Sequence, residues 1–120
     1  MFIMLALAFV AAGCGGADRR AVESPDVSAE AAQVPIFDGL GSHTRKVTTD
    51  SPAAQRYFDQ GLIFLYGFNH DEAIRSFQQA AALDPSLAMA YWGIAFANGP
   101  HINNPTLPPA RAGAAWDALQ

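Results

Sequence analysis

The sequence predicts an all-α fold over residues 51–120, a helix-turn-helix pair followed by the opening of a second, similar unit. Three observations predict it. Ser51-Pro52 is a helix start and Leu83-Asp84-Pro85 a helix stop. Between them, apolar residues recur at spacings of three and four. Beyond them the pattern returns after 34 residues, Ala54 being echoed by Ala88 and Tyr57 by Tyr91.

Each element has a local cause. A serine before a helix accepts a hydrogen bond from a free first-turn N–H, and proline suits the first helical position, where no N–H is needed. The face that follows is Ala54, Tyr57, Phe58, Gly61, Leu62, Phe64 and Leu65, the spacing of one helical stripe. Gly61 sits inside it at a cost of about 1 kcal/mol relative to alanine, which points to a neighbouring helix approaching closely. Gly67-Phe68-Asn69 breaks the pattern, with Asn69 or His70 placed to cap the next helix. Asp71 and Glu72 then complement the positive end of its dipole. The second helix carries Ala73, Ile74, Phe77, Ala80, Ala81 and Leu83, and Pro85 ends it by restricting Asp84 and lacking a donor. Two helices joined by so short a turn form an antiparallel hairpin. Phe77, flanked by small Ala73 and Ala80, is expected to fill the space at Gly61.

Taken as a unit, Tyr57-x3-Gly61-x2-Phe64, Ala73-x3-Phe77-x2-Ala80 and Pro85 resemble the tetratricopeptide repeat family, in which aromatic, Gly, Ala and Pro positions recur within 34 residues. The resemblance implies a helix-turn-helix solenoid of about one and a half to two repeats, with residues 86–97 as the first helix of the second. It also implies a protein or peptide partner on the concave face. Gln55, Asp59 and Asn98, on first helices, are candidate partner contacts. The match then departs. Where a tight turn belongs, the chain has a longer loop, Asn98 to Pro105, before a further helix from about Pro108 through Trp116 and Leu119. With Tyr91-Trp92-Gly93-Ile94-Ala95 and Gly99-Pro100-His101-Ile102-Asn103, residues 43–120 look like a bacterial group of secreted or lipoprotein-type repeat proteins. Gln120 falls inside a helical pattern without a cap. Repeat arrays bury each face on a neighbour, so the solenoid is expected to continue. The other reading is a small complete protein that closes its core by self-association.

The N-terminus reads as an address. Phe2 to Ala12 is an apolar run of 11 residues, short of the roughly 20 that span a bilayer but suited to a signal-peptide core. Small residues and Cys14 follow, which resembles a bacterial lipoprotein signal: residues 1–13 would be removed and Cys14 would carry the lipid. A plain secretory leader with an incidental cysteine, or a non-exported apolar terminus, are the alternatives. Residues 14–50 read as a flexible linker, rich in Gly, Ser, Pro, Asp and Glu. Its single apolar cluster, Val34-Pro35-Ile36-Phe37, is expected to lie against the domain. Fully extended, a linker of this length reaches on the order of 120 Å. The expected location is therefore the cell envelope, on a lipid anchor.

Charge and residue chemistry narrow the function. The formal net charge is −4 with a pI of about 5.1, and residues 51–120 hold five acidic against three basic side chains. Phosphate neutralisation requires a basic stripe, so nucleic-acid binding is disfavoured. One cysteine permits neither an internal disulfide nor a cysteine metal cage. The histidines, His43, His70 and His101, show no ligand-like spacing such as i, i+4 on one helix. No nucleophile elbow frames a serine and no glycine loop frames a phosphate. Adjacent Asp71 and Glu72 do not face each other on a helix. No catalytic residue, metal or cofactor is expected. The loop around His101 and Asn103 is the one local candidate for a binding site, since long irregular loops on rigid scaffolds often carry function. The reading is a protein- or peptide-binding scaffold, not an enzyme. The rival is the N-terminal part of a larger metal-binding protein or enzyme with a site near residues 99–105.

Overall fold

The computed structural model describes residues 34–120; the expected signal peptide, Cys14 and the linker up to residue 33 lie outside the described residues. Four helices follow in order: α1 (Pro52–Tyr66), α2 (His70–Leu83), α3 (Ala88–Asn98) and α4 (Pro109–Asp117). The described residues contain no β-strand, and none of their helices is long and apolar enough to cross a membrane.

The start of α1 follows from its first two residues. Ser51 is extended at φ −93° and its hydroxyl accepts from the Ala54 N–H at 3.2 Å, while Pro52 opens the helix. Its end is less regular. Asn69 N–H donates to the Phe64 carbonyl at 2.9 Å and Phe68 N–H to that of Leu65 at 3.2 Å, the Schellman pair that closes a helix through a left-handed residue. That residue is usually glycine. Here Gly67 keeps φ −82° and Phe68 takes φ +63°, a conformation that costs an L-residue roughly 1–2 kcal/mol.

α1 and α2 form the hairpin, α3 packs on α2 and touches α1, and α4 packs on α3. The core runs through Phe58, Leu62, Leu65, Phe77, Ala80, Leu87 and Ile94. Phe77 is its centre. A methyl group added at Gly61 would stand 2.6 Å from the Phe77 ring, and one added at Gly93 would stand 2.7 Å from it. The ring is thus held between two glycines on different helices, the second of which sequence periodicity did not single out. α4 has no buried residue. Trp116 and Leu119 are exposed.

Residues 34–50 form an extended strap on α1. Gly39 and Gly41, at φ +81° and +86°, make the turn in its middle, a backbone region open to glycine at no steric cost. Val47 is buried in the core and Phe37 meets Phe64 edge-on at 5.3 Å. The apolar cluster at 34–37 therefore lies against the hairpin.

Candidate functional site

Two features combine polar side chains from separate parts of the chain. The first is the contact between the strap and α1. Gln60 Oε1 accepts from the Phe37 N–H at 2.9 Å, and its Nε2 donates to the Pro35 carbonyl at 3.0 Å. Gln55 repeats the arrangement: Oε1 accepts from the Val47 N–H at 3.0 Å and Nε2 donates to the Arg45 carbonyl at 2.9 Å. Each glutamine thus holds the C=O of one residue and the N–H of the second residue after it. A side-chain amide presents one donor edge and one acceptor, so it substitutes for the peptide unit of a neighbouring strand. No strap side chain takes part in these four bonds.

The two clamps lie five residues apart on α1, about 140° around the helix. The glycine turn between them lets the strap wrap from one face to the next. Gln60 is only 4% exposed, and its second amide hydrogen reaches Ser76 Oγ at 3.0 Å. Ser76 in turn donates to the Glu72 carbonyl at 2.8 Å. This network satisfies every buried polar atom in it, the condition under which burial is tolerated. Asp59 adds a third anchor, accepting from Thr44 Oγ1 at 2.7 Å and the Arg45 N–H at 2.9 Å. Tyr57 Oη donates to the Val34 carbonyl at 2.7 Å.

The second feature is a cleft of about 240 Å³ where the 99–108 loop folds back over the α1–α2 turn. His101 stacks on His70, with ring centroids 4.1 Å apart and planes 16° from parallel. His70 Nδ1 lies 3.2 Å from the Phe68 carbonyl. A carbonyl only accepts, so Nδ1 is the donor in this contact. His101 Nδ1 is buried with no hydrogen-bond partner. The Phe68 ring stands 6.2 Å from His70 and 6.3 Å from His101. Across the cleft, Arg111 of α4 pairs with Asp71 of α2 at 2.5 Å. The loop is shaped by a tight turn in which His101 and Asn104 exchange N–H···O bonds at 3.0 and 2.9 Å.

The residues expected from sequence fall in different places. Gln55 and Asp59, expected to face a partner, hold the chain's own strap. Asn98, expected to be exposed, is 5% exposed: its amide folds back one helical turn to donate to the Ile94 carbonyl at 2.9 Å. His101 lines the cleft, and Asn103 sits at the exposed turn beside Ile102. Two participants, Gln60 and His70, were not among the expected contacts. Gln60 occupies an apolar stripe, and His70 is brought to His101 by the fold alone. Asp84, between α2 and α3, accepts from Ser86 Oγ at 2.6 Å and Thr49 Oγ1 at 2.5 Å, and these bonds hold its carboxyl below the usual range. Among the described residues no group of three or more His, Cys, Asp or Glu side chains is placed to hold a metal ion.

No family model, curated protein or solved structure matches this chain.

Proposed function

We propose that this chain is a tetratricopeptide-type module of the cell envelope, exported and held at the membrane by an acyl group on Cys14, that binds an extended segment of a protein partner. The observation that carries the reading is the pair of amide clamps on α1. Gln55 and Gln60 hold an extended backbone through its own N–H and C=O groups, with an aromatic contact at Phe37–Phe64 beside one of them. Backbone hydrogen bonds supply affinity in strand-like peptide recognition, and side-chain contacts supply selectivity. The strap is the resident occupant, and a partner segment of the same form takes its place. The affinity for that partner is reduced by the fraction of molecules in which the strap is bound.

The test uses a fluorescent peptide of residues 34–48 and the full chain. Phe37→Ala removes the aromatic contact and loosens the strap. The peptide is expected to bind the Phe37→Ala chain more tightly than the wild type by anisotropy. A further Gln60→Ala substitution is expected to abolish that gain. A folded Phe37→Ala chain, checked by circular dichroism, that ignores the peptide contradicts the reading. The anchor is tested separately by the mass of the membrane-extracted N-terminal peptide, which should show an acylated Cys14 as its first residue.

A further inference from the structure

The clamps at Gln55 and Gln60 hold backbone only, so by themselves they accept any extended segment. The geometry between them is more selective. The two glutamines are five residues apart on α1, about 7.5 Å along its axis and about 140° around a helix about 10–12 Å across. The groups they hold are ten residues apart: Gln60 takes the Pro35 carbonyl and Gln55 the Arg45 carbonyl. Ten extended residues reach about 33 Å, roughly twice the distance between the clamps. A straight strand therefore fills one clamp and overshoots the other. The strap takes up the excess at Gly39 and Gly41, whose φ angles are +81° and +86°. A Cβ added at either glycine would meet nothing within 4 Å, and both positions are exposed. The demand for glycine thus comes from the left-handed backbone and not from lack of room.

Three side-chain contacts flank this turn. Phe37 meets the Phe64 ring edge-on at 5.3 Å, and Val47 is buried in the core. Thr44 Oγ1 donates to Asp59 Oδ2 at 2.7 Å, and the next N–H, that of Arg45, donates to Oδ1 at 2.9 Å. Gln55 Nε2 also donates to Asp59 Oδ1 at 3.0 Å, so one glutamine both clamps the backbone and aims the carboxylate that reads a hydroxyl. Resting on the reading of α1 as a site for extended segments, we propose that the partner segment is a doubled-back strand of the pattern aromatic-x-Gly-x-Gly-x2-Thr/Ser-x2-aliphatic, which residues 37–47 display. The glycines fold the segment so that both clamps close. The hydroxyl residue pairs with Asp59, and the aliphatic residue takes the place of Val47. A segment without the two glycines fills one clamp only.

Unlabelled variants of the 34–48 peptide, competed by anisotropy against the labelled peptide on the Phe37→Ala chain, test the pattern. Gly39→Ala with Gly41→Ala, made with L-alanine, is expected to weaken binding about 10- to 100-fold. The same pair made with D-alanine has the same size and the opposite hand, which favours positive φ, and is expected to bind at least as well as the glycine peptide. Thr44→Val keeps the shape and loses the donor. It is expected to cost about 2- to 10-fold on the Phe37→Ala chain and nothing when that chain also carries Asp59→Ala. Lys46→Ala, at an exposed strap position, is expected to compete like the unchanged peptide. If the unchanged peptide binds while its L- and D-alanine forms compete equally, the pattern is overturned and the clamp reading stands. No binding by the unchanged peptide overturns both. Hydrogen exchange gives a readout that needs no peptide. In the full chain, Gly39→Ala with Gly41→Ala should speed exchange of the Phe37 and Val47 N–H groups that the clamps hold, and protection equal to the wild type overturns the proposal.

Discussion

Gly93→Ala is the substitution whose effect follows most closely from the packing of this domain. The added methyl group would stand 2.7 Å from three carbons of the Phe77 ring, against an optimal carbon–carbon separation of about 3.5–4.0 Å. A flexible side chain would move aside. Phe77 cannot, because it is fully buried and Gly61 leaves no room on its other side, where an added methyl would stand at 2.6 Å. Overpacking of this kind costs about 1–3 kcal/mol. Alanine in place of glycine in a helix returns about 0.8–1.0 kcal/mol. Taken at the middle of both ranges, the net expectation is a loss of about 1 kcal/mol. With an m-value of about 1–3 kcal/mol/M, the urea midpoint followed by circular dichroism should fall by on the order of 0.5–1 M. Phe77→Leu in the same chain shortens the side chain, so the pair should be less destabilised than the sum of the single variants. A Gly93→Ala chain as stable as the wild type, or more so, would show that α3 is not pressed against Phe77 and would refute the reasoning.

Other perturbations have separate readouts. Ser51→Ala removes the cap on α1 and should lower stability by about 1 kcal/mol in the same urea assay. Asp84 is held low by Ser86 and Thr49, so its contribution is present above the unfolded-state value of about 3.9 and is lost as pH falls through the lower folded value. The melting-temperature difference between wild type and Thr49→Val should therefore be largest near neutral pH and shrink below about pH 4. A difference constant from pH 7 to pH 3 would assign it to packing. Phe68→Gly relieves the left-handed strain and should change stability by no more than about 1 kcal/mol in either direction. A larger loss would mean that the ring's contacts with His70 and His101 outweigh the strain. Arg111→Ala breaks an ion pair between a half-buried arginine and an exposed aspartate and should cost under about 1 kcal/mol, measured by thermal melting at low and high salt.

The parts of the fold visible in the sequence are those with local causes. Ser51-Pro52 announces α1 because capping chemistry acts over three residues, and Asp84-Pro85 ends α2 for a steric reason confined to neighbours. The close approach at Gly61 is visible because an unexplained helical glycine demands a reason. The left-handed residue at the turn is not visible. Gly67 is the natural candidate, and the register of the Schellman bonds assigns it to Phe68 instead. The strap contact is hidden for a different reason. Gln55 and Gln60 grip backbone groups, which every residue has, so residues 34–50 read by composition as linker. Asn98 reads as an exposed amide until its hydrogen bond to Ile94 shows the head of the side chain turned inward. His70 and His101 lie 31 positions apart on elements that meet through loop geometry, and no spacing rule connects them. The long loop itself is legible as a break in the 34-residue spacing of the sequence, and that loop brings the two rings together.

The amide resonances of Gln55 and Gln60 report most directly on the central claim that α1 reads extended backbone. The ¹⁵N-labelled Phe37→Ala chain, titrated with unlabelled 34–48 peptide, should show both side-chain NH₂ pairs moving together and saturating. The same resonances in the wild type should move less at equal peptide concentration. Side-chain amides that stay in place while the peptide is present in large excess would contradict the account.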